Sequence, residues 1–276
     1  MQCRLPKIYK IETLPEIGTA LNDMSWADIR KISDAGLASS YFNVGDRKAV
    51  TLNGTVGSLS LNGTYYCYII GIDHNSAIEG TNRIHFQFGK TTSGTDIAFC
   101  DSNYNSNGSS QGFRMNLSNT TSGGWNDSYG RKTLMGNSGT PTSPPENSFM
   151  AALPADLRAV MKPVTKYTDN TGGGSNTSNA VTATTDYLFF LAEFEVQGSR
   201  SFANQYEQNY QAQYDYYRAG NSKIKYRHDA AGTSVYHWCR SAEYSPYGLF
   251  CLVNTNGSAS SASANSSRGL APCFCV

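Results

Sequence analysis

Three short stretches near the carboxyl end decide the fold: Trp238-Cys239-Arg240-Ser241, Phe250-Cys251-Leu252-Val253-Asn254 and Gly269-Leu270-Ala271-Pro272-Cys273-Phe274-Cys275-Val276. Large apolar side chains (Trp238, Phe250, Val253, Phe274) stand as isolated anchors among Ser, Ala, Asn and Gly. Neither the 3.6-residue period of a helix nor the two-residue alternation of a strand covers the whole segment. The segment from Tyr236 to Val276 therefore predicts short strands carrying large loops of permissive composition.

The remainder of the 276 residues bounds the class of protein. Hydrophobic residues make up 39% and charged residues only 16%, with 26 Gly and 18 Tyr. Lys and Arg number 22 against 21 Asp and Glu, a formal charge of +1. This balance excludes a surface built to neutralise nucleic-acid phosphates or to sit on an anionic membrane. No apolar run approaches the roughly 18 residues needed for a membrane-spanning helix. The start, Met1-Gln2-Cys3-Arg4-Leu5-Pro6, lacks the apolar stretch of a secretory signal, so Asn53-Gly54-Thr55 and Asn62-Gly63-Thr64 read as turns rather than glycosylation sites. Seven scattered cysteines, without C-x-x-C pairs or zinc spacing, read as small buried hydrophobes and not as a disulfide framework.

Local signals organise the chain. Residues 1–24, with Pro6 and Pro15, read as an extended arm suited to oligomerisation, and 25–276 as the main domain. Ser25 caps a helix with Trp26, Ile29 and Ile32 on one face. Asn53-Gly54 and Asn62-Gly63, each after a β run, predict hairpin turns, and Tyr65–Ile72 and Arg83–Phe88 predict strands. From Asp101 to Ser143 the chain predicts ordered loops around Trp125 and Tyr129. Ala155–Lys162 predicts a helix opened by Pro154 and closed by Pro163. Tyr187–Val196 predicts a central strand. Tyr206, Tyr210, Tyr214 and Tyr217 predict a tyrosine stripe on a helix from Ser201 to Arg218.

The chemical motifs are weak. His74, His85, His228 and His237 are dispersed, and no G-x-S-x-G elbow, P-loop or dinucleotide fingerprint accompanies them. Glu193 and Glu195 read as solvated alternation on a half-exposed strand. Trp125-Asn126-Asp127 matches the calcium motif of sugar-binding animal C-type lectins, and Asn and Asp oxygens do suit calcium. The Glu-Pro-Asn or Gln-Pro-Asp tripeptide that should precede it is absent. Pro145-Glu146-Asn147 has the wrong order and follows it, so the match reads as coincidence.

The C-terminal frame resembles the variable region of target proteins of diversity-generating retroelements, many of them carried by bacteriophages. Trp26-Ala27-Asp28-Ile29, Val44-Gly45-Asp46, the Tyr65–His74 strand and Gly123-Gly124-Trp125 look like a domain of unknown function that often carries this ending. The resemblance implies an α+β, C-type-lectin-like fold, related to formylglycine-generating enzymes and used as a display scaffold. Trp238, Phe250, Val253 and Phe274 would then be buried, with Arg240 fixing loop backbone through its fork of donors. The ligand-binding spacers would be Tyr236, Tyr244, Tyr247, Gly248, Leu249, Leu252, Ser258, Ser260, Ser261, Ser263, Asn265 and Arg268, all facing solvent. Cys239 and Cys273 also fall at spacer positions, where exposed thiols would be out of place.

The implied protein is a phage receptor-binding or fibre-tip adhesin. It would be located in the virion, homotrimeric, in contact with other virion proteins, and would bind a bacterial surface protein or glycan without any cofactor. Two alternatives differ in class. One is an enzyme on the formylglycine-generating scaffold, with Cys251 and Cys273 or Cys275 as copper or redox groups. The other is a bacterial surface adhesin, which would carry an export signal.

Overall fold

A computed structural model describes residues 13–102, 104, 113–174, 176–245 and 247–276. Most of the arm (1–12) and part of the polar stretch (103, 105–112) lie outside the described residues. The fold is α+β. Among the described residues thirteen strands run in chain order: β1 (Arg47–Val56), β2 (Leu59–Ile72), β3 (Ile84–Lys90), β4 (Ile97–Ala98), β5 (Val164–Asp169), β6 (Val181–Asp186), β7 (Leu188–Phe189), β8 (Lys225–Arg227), β9 (Ala230–Val235), β10 (His237–Ala242), β11 (Leu249–Val253), β12 (Ala259–Ser263) and β13 (Cys273–Cys275). The helices used below are α1 (Trp26–Asp34), α2 (Ala38–Tyr41), α3 (Ser76–Glu79), α4 (Gly124–Asp127), α5 (Phe149–Ala152), α6 (Ala155–Arg158), α7 (Glu193–Gln197) and α8 (Asp215–Arg218).

The main sheet is antiparallel in the order β1-β2-β3-β13-β7. The carboxyl-terminal strand therefore sits inside the sheet, between β3 and β7. Phe274 stacks on Phe86 with ring centroids 5.1 Å apart, and Trp26 meets both rings edge-on. This places α1 on the sheet, as its apolar face predicts: Ser25 Oγ accepts the Asp28 N–H, and Trp26, Ile29 and Ile32 are buried. Behind α1, the described end of the arm packs inward through Leu21 and Met24, while the Lys48 ammonium donates to the Asn22 and Met24 carbonyls.

The hairpin register departs from the Asn-Gly reading. Asn53 and Asn62 face each other within the β1–β2 ladder, and the turn falls at Gly57 (φ +57°) and Ser58. Burial of Val50, Leu52, Val56 and Leu61 sets the pairing, and slipping by one residue would turn these side chains to solvent. Gly54 has a different use. A β-carbon there would lie 3.1 Å from Ala152, so the missing side chain lets α5 approach the strand.

Three further expectations are corrected. Helix α6 stops at Arg158, and the Lys162 N–H joins the edge of β13 by donating to the Cys275 carbonyl at 2.8 Å. Tyr187–Val196 is strand only at Leu188–Phe189, then turns into α7, so Glu193 and Glu195 are buried in a helix rather than solvated on a strand. The tyrosine stripe forms no continuous helix. A short 3₁₀ turn (Gln205–Asn209) and α8 are separated by extended chain, and the tyrosines act as separate anchors. Tyr210 stacks on Tyr167, Tyr214 on His74, and Tyr217 donates to Gln87. The helical spacing forms no helix because side-chain commitments to other elements override it.

Truncating Phe274 to alanine is expected to cost about 3–5 kcal/mol, the usual range for a buried aromatic. Urea unfolding checks this, and a loss under 1 kcal/mol would contradict the central placement of β13.

Candidate functional site

A second sheet, β10-β11-β12, carries the C-terminal frame. Every residue of β10 is buried, as are Phe250 to Val253 of β11. On one face Trp238 packs edge-on against Phe250, and its indole N–H donates to the Phe113 carbonyl at 2.9 Å. On the other, the Cys251 thiol points at the Glu193 carboxylate of α7, 3.9 Å away. Both faces are therefore covered. Strand β12 is the edge, and of its residues only Ala262 is buried.

Buried charge anchors the sheet. Arg240 donates from Nε to Thr168 Oγ1 (3.0 Å), from Nη1 to the Phe190 carbonyl (2.9 Å) and to Glu195, and from Nη2 to Glu195 Oε1 (2.9 Å). Lys166 Nζ donates to Glu79 (2.7 Å), Glu195 (3.1 Å) and the Tyr214 hydroxyl (2.8 Å). Glu195 also accepts the Ala192 N–H, holding the first turn of α7. Glu193 accepts the backbone N–H groups of Ser201, Phe202 and Ala203, and Glu207 accepts the Asp169 backbone N–H, the Ser241 hydroxyl and the Gln211 side-chain amide. The sequence reading of Arg240 as a fork on loop backbone holds at the Phe190 carbonyl, but its acidic partners were not read from the sequence. The available signal was an acidic pair in the chain's most apolar run, where an unpaired charge would be costly.

Titration in this cluster follows burial. Burial works to raise the Glu195 carboxyl, but Arg240 and Lys166 outweigh it and hold it well below the usual range. Burial raises Glu79, and it carries Glu207 up to about 7. Burial, aided by Lys166, lowers His74 to about 3 and His85 well below its ordinary value. Ligand atoms of His74, Glu79 and Glu195 lie within 4.8 Å of one another, the one such group among the described residues. A cation placed there would meet the Lys166 ammonium, which already bonds both carboxylates, so the donor set suits the lysine and not a metal.

The expected solvent-facing spacers divide into three sets. Tyr247 is exposed at one end of β11, flanked by half-buried Tyr244 and Leu249, with Ser263 paired opposite Leu249. Ser260 and Ser261 lie partly exposed along β12, Asn265 is half-buried, and Ser258 is exposed at the far end, about 16 Å away along a five-residue strand. Tyr236 is half-buried beneath the Arg268 guanidinium. The expectation fails at Gly248, Leu252 and Arg268, which are buried. Leu252 sits opposite Trp238 in the ladder. Arg268 is held by its own N–H on the Phe113 carbonyl, and Gly248 (φ +91°) makes a tight turn on Thr121 Oγ1. Cys239 and Cys273 are also buried and belong to the frame.

A glycine triplet supports the exposed end. Gly172, Gly173 and Gly174 all have positive φ (+98°, +79° and +79°). A β-carbon on them would stand 2.0 Å from the Thr121 carbonyl, the Glu243 carbonyl and the Tyr247 ring respectively. Three separate segments thus close on bare backbone. Between them lies a cleft of about 370 Å³ lined by Asn119, Thr120, Ser122, Thr171 and Tyr247. Elsewhere, Trp125 is buried with its indole on Asp186, and Asp127 pairs with Lys132 at 2.7 Å instead of joining a calcium-type ligand set.

Several sheets tied by a buried ionic cluster, with a polar cleft at one loop end, define an α+β domain. Residues 103–276 match the family described as a domain of unknown function, DUF6273, and the chain belongs to that family. No curated protein and no solved structure matches it.

Arg240→Ala, which leaves the buried Glu195 carboxylate with Lys166 as its one ionic partner, is expected to cost about 3–5 kcal/mol, and Arg240→Met with Glu195→Leu less than the single change. Equal losses in denaturant titrations would contradict the network. Acid should act in two stages. Below the unfolded histidine value of 6.5, neutral His74, His85 and His237 favour unfolding, while the raised Glu79 and Glu207 oppose it by taking up protons in the folded state. The stabilisation from those two carboxyls is complete below 4.5 and lost as pH rises through about 7. Below 4.5 the unfolded carboxylates are protonated as well, so the histidines and Glu195 act unopposed. Each such group then removes about 1.4 kcal/mol per pH unit. Melting temperature should fall gently from pH 7 to 5 and steeply below 4.5; a steep fall already between 7 and 5 would contradict this.

Proposed function

We propose that the chain is a non-catalytic adhesin: a phage receptor-binding, fibre-tip protein of C-type-lectin-like fold, whose carboxyl-terminal segment is diversified as in retroelement targets. The observation that carries this reading is the contrast along one segment. Trp238, Arg240, Phe250, Val253 and Phe274 are buried, while a few residues away Tyr247 is exposed and Tyr244 and Leu249 are only half-buried. Tyrosine offers large, rigid, amphipathic contact at low entropic cost, which suits a recognition loop. The variable set that this reading needs is smaller than the spacer list, because Gly248, Leu252 and Arg268 serve the fold. Virion location, trimerisation through the arm and contact with other virion proteins belong to the same proposal.

The thiol-enzyme alternative draws less support. Burial raises the Cys251 and Cys273 thiols far above their ordinary range and Cys275 to about 12, whereas the thiolate is the nucleophile and metal ligand. Cys275 lies 3.3 Å from His85 Nδ1, and Cys251 faces a carboxylate instead.

Labelled protein should bind cells of at least one strain in a bacterial panel. The combined Tyr244→Ala, Tyr247→Ala and Leu249→Ala variant should bind at least tenfold less, with its melting temperature kept. Equal binding by the variant would remove this face from the function.

A further inference from the structure

We infer that the cleft beside Tyr247 is a calcium-independent subsite for one uncharged sugar residue, held by a wall outside the variable segment and selected by Tyr247. This inference rests on the adhesin reading and names its ligand class. At about 370 Å³ the cleft falls in the range of small-ligand sites, roughly 300–1,000 Å³. One wall comes from residues far upstream of the frame: Asn119, Thr120, Ser122 and Thr171. The other is the Tyr247 side chain, 69% exposed, whose ring rests on Gly174.

The chemistry of the two walls is complementary to a pyranose. Hydroxyl and amide groups each donate and accept, as sugar hydroxyls do, so one wall pairs with either role. The Asn119 amide makes no hydrogen bond among the described residues and stands at the cleft beside Gly248. An exposed aromatic ring presents its face to the apolar C–H side of a sugar. Among the described residues no Lys, Arg, Asp or Glu lines the cleft, so none of them neutralises an anionic or cationic ligand there. The Asp169 carboxylate is spent on the Thr171 hydroxyl and N–H and on Gly172 N–H. A calcium-bridged sugar is best served by carboxylate ligands, and the described lining holds none.

A protein ligand would ask for something else. Specific protein interfaces bury about 800 Å² per partner around an apolar centre. Of the large hydrophobic side chains exposed among the described residues (Ile17, Leu37, Val44, Leu117, Tyr247), Tyr247 alone lines this cleft. Its rigidity favours a small ligand as well: the Thr121 hydroxyl bridges Gly172 carbonyl and Gly248 N–H, so the two walls are joined at the base before anything binds.

The test uses the full chain in EDTA and saturation-transfer NMR with methyl glycosides of glucose, galactose, N-acetylglucosamine and rhamnose. At least one glycoside should receive saturation. Tyr247→Ala and Asn119→Ala should each weaken it tenfold or more, and Tyr247→Trp should retain it. No transfer from any glycoside, transfer untouched by both alanine variants, or transfer that requires added calcium would overturn the subsite. Cell binding separates this from the adhesin reading. Tyr247-dependent adhesion abolished by protease and unaffected by periodate overturns the sugar and keeps the adhesin. Tyr247-dependent glycoside binding by a protein that adheres to no strain keeps the sugar and removes the adhesin.

Discussion

The ion pair between Arg240 and Glu195 is the constraint on which the rest depends. Both side chains are cut off from solvent, and removing such ions from water costs several kcal/mol each. That cost is offset by charge-assisted hydrogen bonds from each of the three Arg240 nitrogens and to both Glu195 oxygens. Arg240 links β10 to Thr168 on β5 and to the Phe190 carbonyl after β7, while Glu195 links them to α7 and, through Lys166, to Glu79 on α3. Displacing α7 would leave Arg240 without its carboxylate, and displacing β5 would leave Glu79 without Lys166. The cluster therefore fixes the position of the second sheet relative to the first by penalising alternatives, which an apolar contact of similar area does less sharply.

What the sequence disclosed follows the range of each interaction. Helix α1, strands β2 and β3, and the burial of Trp238, Phe250, Val253 and Phe274 were legible, because cap chemistry and apolar spacing act within a few residues. The Asn-Gly pairs were misread because a turn propensity of local origin loses to the burial of Val56 and Leu61, whose partners lie elsewhere in the chain. The tyrosines had helical spacing, yet Tyr210 and Tyr214 are committed to Tyr167 and His74, 43 and 140 positions upstream. Glu193 and Glu195 looked solvated because their partners, Arg240 and three backbone N–H groups, become neighbours only after folding. The glycine triplet was visible as composition; its role was not, since it consists in what approaches it.

The second sheet explains where recognition can reside. A strand with one covered face offers alternate residues to solvent, but β11 is covered on both, and only its ends and the β12 edge remain. Tyr247 and Gly248 lie at the end where Gly172, Gly173 and Gly174 admit the Thr121, Glu243 and Tyr247 segments to contact distance. The exposure of Tyr247 there coexists with a Gly248 backbone tied to Thr121. That combination lowers the ordering cost of binding, since less side-chain and loop freedom is lost on association.

This arrangement also sets how much diversity the segment can carry under the proposed function. A typical domain is stable by only about 5–15 kcal/mol. Cutting back a buried side chain such as Leu252 removes about 2–5 kcal/mol, and a residue other than glycine at Gly248 must adopt a φ near +91°. A change at exposed Tyr247 or Ser258 usually stays within about 0.5 kcal/mol. Random replacement across the whole spacer list would then be dominated by folding failures at a few positions. Replacement confined to Tyr244, Tyr247, Leu249, Ser258 and the β12 serines leaves the buried network of Arg240 and the β13 ladder untouched. The serine-rich edge fits that division: small side chains on β12 keep the strand neutral in shape, so recognition is left to the tyrosine loop beside it.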